Sequence, residues 1–123
     1  MKRYKITVTT ASDGTATAYT PRLSGKIQQI EYVKDGTIGY TDGVDFTITG
    51  EATGIGLWTE SNVNASAVRA PRQPTHSQVG AALLYASGGV GVADAIGVAN
   101  DRVKIVLAQG GAAKVGTFHV VVE

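Results

Sequence analysis

"TDGVDFTITGEATG", residues 41–54, decides the fold class. Val44, Phe46 and Ile48 point one way under a period of two, and Asp45, Thr47 and Thr49 point the other. Successive side chains leave opposite faces of a pleated strand, so this alternation reads as a β-strand with one wet and one buried face. Glycines at 43, 50 and 54 bracket it with turn chemistry.

The same pattern recurs outward from this stretch. "YKITVTT" (4–10) sets Ile6 and Val8 against Lys5, Thr7 and Thr9, and "SDG" (12–14) turns it toward "TATAY" (15–19), which reads as its hairpin partner. "GKIQQIEYVKDG" (25–36) holds a strand ended by Lys34-Asp35-Gly36, and "GLWTE" (56–60) carries the only tryptophan. At the far end, 102–109 and 115–122 read as a hairpin closed by Gly110-Gly111, where positive φ is available. Residues 81–86, "AALLYA", are a short apolar strand candidate, and 88–101 read as loop plus strand rather than helix. The expected architecture is an all-β single domain over 1–123: a β-sandwich or jelly-roll of seven or eight short strands.

Composition agrees. Val, Thr, Ala and Gly dominate over five leucines and one methionine, and Val and Thr suit a pleated surface better than a helix. Cysteine is absent, which removes disulfides, thiol catalysis and Cys-based zinc sites. Charged residues make up 17 % of the chain, below the usual ~25 %, which implies either modest solubility or surfaces that partners cover. The net charge of +1 comes with no basic tract, so nucleic acid is not an expected partner. No apolar run approaches the about 20 residues of a membrane span. Nor does an apolar segment follow the basic Met1–Lys5 as in a signal peptide, so neither a membrane nor a secretory route is expected.

Residues 61–80 break the pattern. They hold two of the three prolines, Pro71 and Pro74, together with Arg69, Arg72 and His76, and show no helical period. A long ordered arm or an irregular loop is the natural reading. Proline narrows the unbound ensemble and so lowers the entropy lost on docking. The small residues Asn62, Asn64, Ala65, Ser66 and Ala67 permit close approach to another backbone. Arg69, Pro71, Arg72, Pro74 and His76 are therefore the candidate interface residues. The two arginines are expected to fix register by forked bonds to acidic groups across a subunit boundary.

Catalytic chemistry is hard to find. Ser77 beside His76 is not a dyad, since a triad is assembled in space around an orienting acid. His119 sits in an alternating strand. Asp13, Asp35 and Asp42 each precede glycine, which is ordinary turn chemistry. Asp42 and Asp45 lack the spacing of a calcium loop, and the glycine-rich 88–97 lacks the dinucleotide-binding order. No catalytic residue, metal or cofactor is expected. The second reading is a carbohydrate-binding module built on Trp58, with Tyr85 and the acids Glu51 and Glu60.

"KITVTT" (5–10), "PRLSGKIQQIEYVKDG" (21–36), "DGVDFTITGEATGIGLWTESNVNASAVRAPRQPTHS" (42–77) and "NDRVKIVLAQGGAAKVGTFHVVVE" (100–123) together resemble a group of small cysteine-free proteins. Those proteins are encoded among the virion morphogenesis genes of tailed bacteriophages. The resemblance implies a non-enzymatic virion subunit, made in the bacterial host cytoplasm, that decorates or cements the capsid or forms part of the head–tail neck (collar). Its implied partners are the major capsid or neck proteins and other copies of itself, as a homo-oligomer. It carries no catalytic motif.

Overall fold

Val44, Phe46 and Ile48 are buried, and Thr47 between them is exposed, so the alternation that defined the fold class also defines the core. The computed structural model describes residues 1–123 and contains ten strands and no helix. They are β1 (Lys2–Thr9), β2 (Ala16–Tyr19), β3 (Leu23–Lys34), β4 (Asp45–Gly50) and β5 (Gly56–Glu60), followed by β6 (Ala67–Arg69), β7 (Arg72–Pro74), β8 (Ala93–Asp101), β9 (Val103–Ala108) and β10 (Val115–Val122). No helix is present that could cross a membrane.

Two antiparallel sheets enclose one core of 19 buried residues, a β-sandwich. The larger sheet runs β1-β10-β3-β8-β7, with β6 also against β3; the smaller runs β2-β9-β4-β5. The strand count exceeds the expected seven or eight because two short strands, β6 and β7, fall inside the segment read as an arm.

Both predicted hairpins are corrected. β1 pairs with β10 and β2 with β9, so residues 4–10 and 15–19 lie in opposite sheets. Likewise β9 pairs with β2 and β4, whereas β10 pairs with β1 and β3. Each connection is an arch from one sheet to the other. Alternation cannot separate the two cases, because both place one apolar face toward the same core. The arches lie side by side: the Gly110 amide donates to the Gly14 carbonyl at 2.9 Å, and Lys114 N–H donates to Thr10 Oγ1 at 2.9 Å. A Cβ on Gly111, whose φ is +80°, would stand 2.6 Å from Thr41 Cγ2, so the crossing needs glycine for both torsion and space.

β3 departs from strict alternation. Its buried residues are Leu23, Ile27, Ile30 and Tyr32, and the three-residue step from Ile27 to Ile30 marks a β-bulge, where Val121 stands opposite Gln29 but Val122 opposite Ile27. The extra residue is Gln28. On the other flank, β8 pairs as far as Ile27 and β6 begins at Ile30, which leaves a gap at the bulge.

Aromatic rings join the sheets. Phe46 of the small sheet meets Tyr32 at 4.9 Å and 84°, and Phe118 at 5.1 Å and 67°, both from the large sheet; Trp58 meets Phe46 at 5.3 Å and 84°. Such edge-to-face pairs contribute about 0.5–1.5 kcal/mol each beyond area burial. Tyr40, from the connection between sheets, stacks on Tyr32 at 5.8 Å and donates its hydroxyl to the Val8 carbonyl at 2.6 Å. Gly116 lies beneath this stack. A Cβ there would stand 2.4 Å from the Tyr40 ring.

Gly116→Ala is expected to cost about 1–3 kcal/mol through overpacking, read as a lowered urea midpoint with an unchanged slope. Burial pushes the Tyr32 phenol up to about 12 and raises Tyr40 further. A phenol raised on folding stabilises the fold fully below its unfolded value of about 10 and loses that contribution as pH rises through the folded value. Denaturation midpoints should therefore fall steeply between about pH 10 and about pH 12, and Tyr32→Phe should flatten that decline.

Candidate interaction surface

The five residues singled out from the sequence lie along one edge of the large sheet and its continuation. Arg69 ends β6, Arg72 and Pro74 belong to β7, Pro71 lies between them, and His76 follows. The structure ties most of the segment 61–80 to its own sandwich and sets β6 and β7 within it.

The ties begin before β6. Asn62 N–H donates to Asp45 Oδ1 at 3.1 Å, and Asn64 Oδ1 accepts from Gly43 N–H at 2.7 Å. Ser66 Oγ accepts from Lys34 N–H at 2.9 Å, and the Asn64 carbonyl accepts from Lys34 Nζ at 3.0 Å. The small polar residues expected to receive a foreign backbone therefore receive loops of their own chain. They line, with Glu60 and Arg69, a depression of about 380 Å³.

Both arginines are engaged. Arg69 reaches the Glu60 carboxylate through Nε at 2.9 Å and Nη2 at 3.0 Å, and its guanidinium lies 5.4 Å from the Trp58 ring centre. Arg72 donates to the Gln28 carbonyl at 3.2 Å and to that of Pro71 at 2.8 Å. Its guanidinium thus serves the bulge carbonyl of β3 at the gap between β8 and β6. Nη1 makes both bonds, so one nitrogen of Arg72 caps an internal defect in the sheet.

Pro74 also has an edge role. β7 is the outer strand of the large sheet, and Pro74 withholds an outward N–H donor there, which hinders another strand from adding to the ladder. The opposite edge, β1, is protected by exposed Lys2, Arg3 and Lys5.

Beyond Pro74 the chain leaves the sandwich. The β7–β8 ladder opens at Thr75 and Val92, where Thr75 N–H donates to Val92 O and Leu83 N–H to Thr75 O, at 2.9 and 3.1 Å. Val92 N–H closes the junction onto Leu83 O at 3.0 Å. Two short hairpins sprout from it, marked by the bridges His76–Ala82 and Leu84–Gly91. In this double-hairpin flap Leu83 and Leu84 are each 44 % exposed, Tyr85 75 %, Val90 76 % and Val79 91 %. None of these five is among the candidate interface residues of the sequence, and only Tyr85 is a candidate of any kind, for the carbohydrate reading. Their signal was present in the sequence as a run, from Gln73 to Ala93, without Asp, Glu, Lys or Arg.

The remaining candidates scatter. Trp58 is 5 % exposed and donates Nε1–H to Glu60 at 3.0 Å, so it presents no ring face to a sugar. Glu51 is paired with Arg102, which lies over the Tyr19 ring. Asp42 sits 3.6 Å from Lys34 Nζ. His119 stands on the outer face of the large sheet between Lys5 and Glu31. A second depression of about 370 Å³ at one end of the sandwich is lined by Lys2, Tyr4, Arg22, Asn100 and Glu123, among others. Neither depression has a histidine in its walls.

The Arg69 guanidinium, and then the Trp58 indole N–H, hold the Glu60 carboxyl below the ordinary carboxylate range. A carboxyl lowered on folding stabilises above its unfolded value and loses that contribution as pH falls through the folded one. The pair is exposed and screened by solvent, so Arg69→Ala should cost little stability at neutral pH. That difference should vanish in acid, and an NMR titration should show Glu60 moved toward the ordinary range.

The chain matches no protein-family model, and no curated protein is similar to it. A solved structure described as the crystal structure of FLHE is similar at 10 % identity with a TM-score of 0.43, over 97 % of this chain and 94 % of that one.

Proposed function

We propose that this chain is a non-enzymatic structural subunit of a tailed-phage virion, acting through repeated subunit contacts as a capsid decoration or cement protein, or in the head–tail neck. One observation carries this reading: from Asn64 to Asp94 not one residue is buried, yet the segment is built of strands, bridges and turns. Fixing the backbone costs about 1–2 kcal/mol per residue, and an isolated hairpin is marginal in water. A flap with no core of its own gains its apolar burial when something covers it. Repetition by symmetry then turns a modest single contact into firm attachment.

The resemblance of the sequence to virion morphogenesis proteins supports the class of partner. The carbohydrate reading depended on Trp58, which is withdrawn into the core. Tyr85 is open, but it lies within the segment that has no acid to orient a sugar.

Light scattering and co-sedimentation with empty phage heads test the proposal. The full chain should travel with heads, and a variant with 76–91 replaced by a short Gly-Ser turn should stay behind while keeping a folded Trp58 signal. A neck role predicts a closed ring, and decoration predicts trimers or monomers spread over the lattice. A folded chain that ignores heads and neck proteins alike would overturn the reading.

A further inference from the structure

We infer that the partner of the flap is the flap of a second copy of this chain, so that copies associate through residues 75–92. The inference rests on the assembly reading above and names the surface that meets.

Charge decides it. No Asp, Glu, Lys or Arg lies between Arg72 and Asp94, while the side chains offered are Val79, Leu83, Leu84, Tyr85 and Val90. Interface centres are depleted of charge and enriched in aromatic residues. When copies meet through the same patch, each group faces like groups across the symmetry axis, and only an uncharged or self-complementary patch avoids repulsion. The flap is uncharged. The β1 edge is not: Lys2, Arg3 and Lys5 would set like charges together. The outer face of the large sheet carries Lys5, His119 and Glu31 in one cross-strand row, and an apolar flap laid there would desolvate them without partners.

Geometry and size agree. Pro74 hinders strand addition at the root, so the contact is made by side chains of the flap itself. Residues 75–92, eighteen in all, approach the ~20–30 residues a side of a standard interface. Apolar residues exposed elsewhere, such as Met1, Ile38 and Ile55, are far apart in sequence, whereas the flap gathers five within twelve positions.

Sedimentation velocity on three full-length chains tests this: wild type, Leu84→Lys with Tyr85→Lys, and Leu84→Glu with Tyr85→Glu. Wild type should show a multiple of the 12.7 kDa chain mass. Each charged variant should sediment as a single chain with the Trp58 emission of the wild type. An equal mixture of the two should recover the associated mass, because opposite charges then face each other. A wild type that remains single, charged variants that keep the wild-type mass, or a mixture that stays dissociated would each overturn the flap-to-flap contact. Should a charged variant lose the Trp58 signature, Leu84→Ser with Tyr85→Ser is read in its place, and retention of the wild-type mass overturns the inference. Co-sedimentation with heads is scored on the same samples. A single chain that binds heads sinks the inference and spares the virion reading; a flap-associated chain that ignores heads and neck proteins does the reverse.

Discussion

Phe46 is the contact on which the sandwich depends. It projects from the small sheet and meets Tyr32 and Phe118 of the large sheet edge to face, while Trp58 packs on it from its own sheet. A chain of this size without cysteine has no covalent tie between its layers, so side chains must fix the spacing and orientation of the sheets. Aromatic edges do so more specifically than aliphatic groups, because the ring quadrupole favours perpendicular approach. The arches follow from the same constraint. Connections that cross between the layers keep β1, β2, β9 and β10 alternately on each side of this cluster, and glycine at 110, 111 and 116 lets backbone pass where a side chain would collide.

An open sandwich also has edges, and three of the four are blunted in different ways. β1 carries cations, β2 is four residues long, and β7 carries proline. Each device discourages a foreign strand from joining. Against that background the flap stands out, since apolar side chains project there without charge and without cover. The segment rich in proline and arginine therefore does two jobs at once: its first half closes the large sheet, and its continuation extends from it.

The sequence reading located the unusual region but assigned its parts differently. Arg69 and Arg72 looked free because arginine in a proline-bearing stretch has no partner visible along the chain. Glu60 is nine positions away, and the Gln28 carbonyl, exposed by a bulge, is a feature of strand pairing that composition does not record. A lone tryptophan in "GLWTE" fits a sugar-binding face or a core position, and its packing against Phe46 separates the two. Leu83, Leu84 and Tyr85 fall in the apolar run 81–86 that fits a short strand, Val90 in the glycine-rich stretch after it and Val79 in the segment before it. Whether an apolar run faces the core or the solvent is settled by what lies across from it.

The sequence by itself determined most strands of the two sheets, because a period of two and the turn residues between runs are local properties of a pleated backbone. It shows no sign of β6 and β7, and it suggests a strand at 81–86 where only single bridges form. It also determined that the core must be built without disulfides. Pairing was decided only in the tertiary structure: an arch and a hairpin share the same alternation and the same glycines, and differ in which distant strand supplies the hydrogen bonds. The interaction surface was decided there too, since exposure is a relation between residues far apart in the chain. Val79, Tyr85 and Val90 stay open because no other element of the fold reaches them.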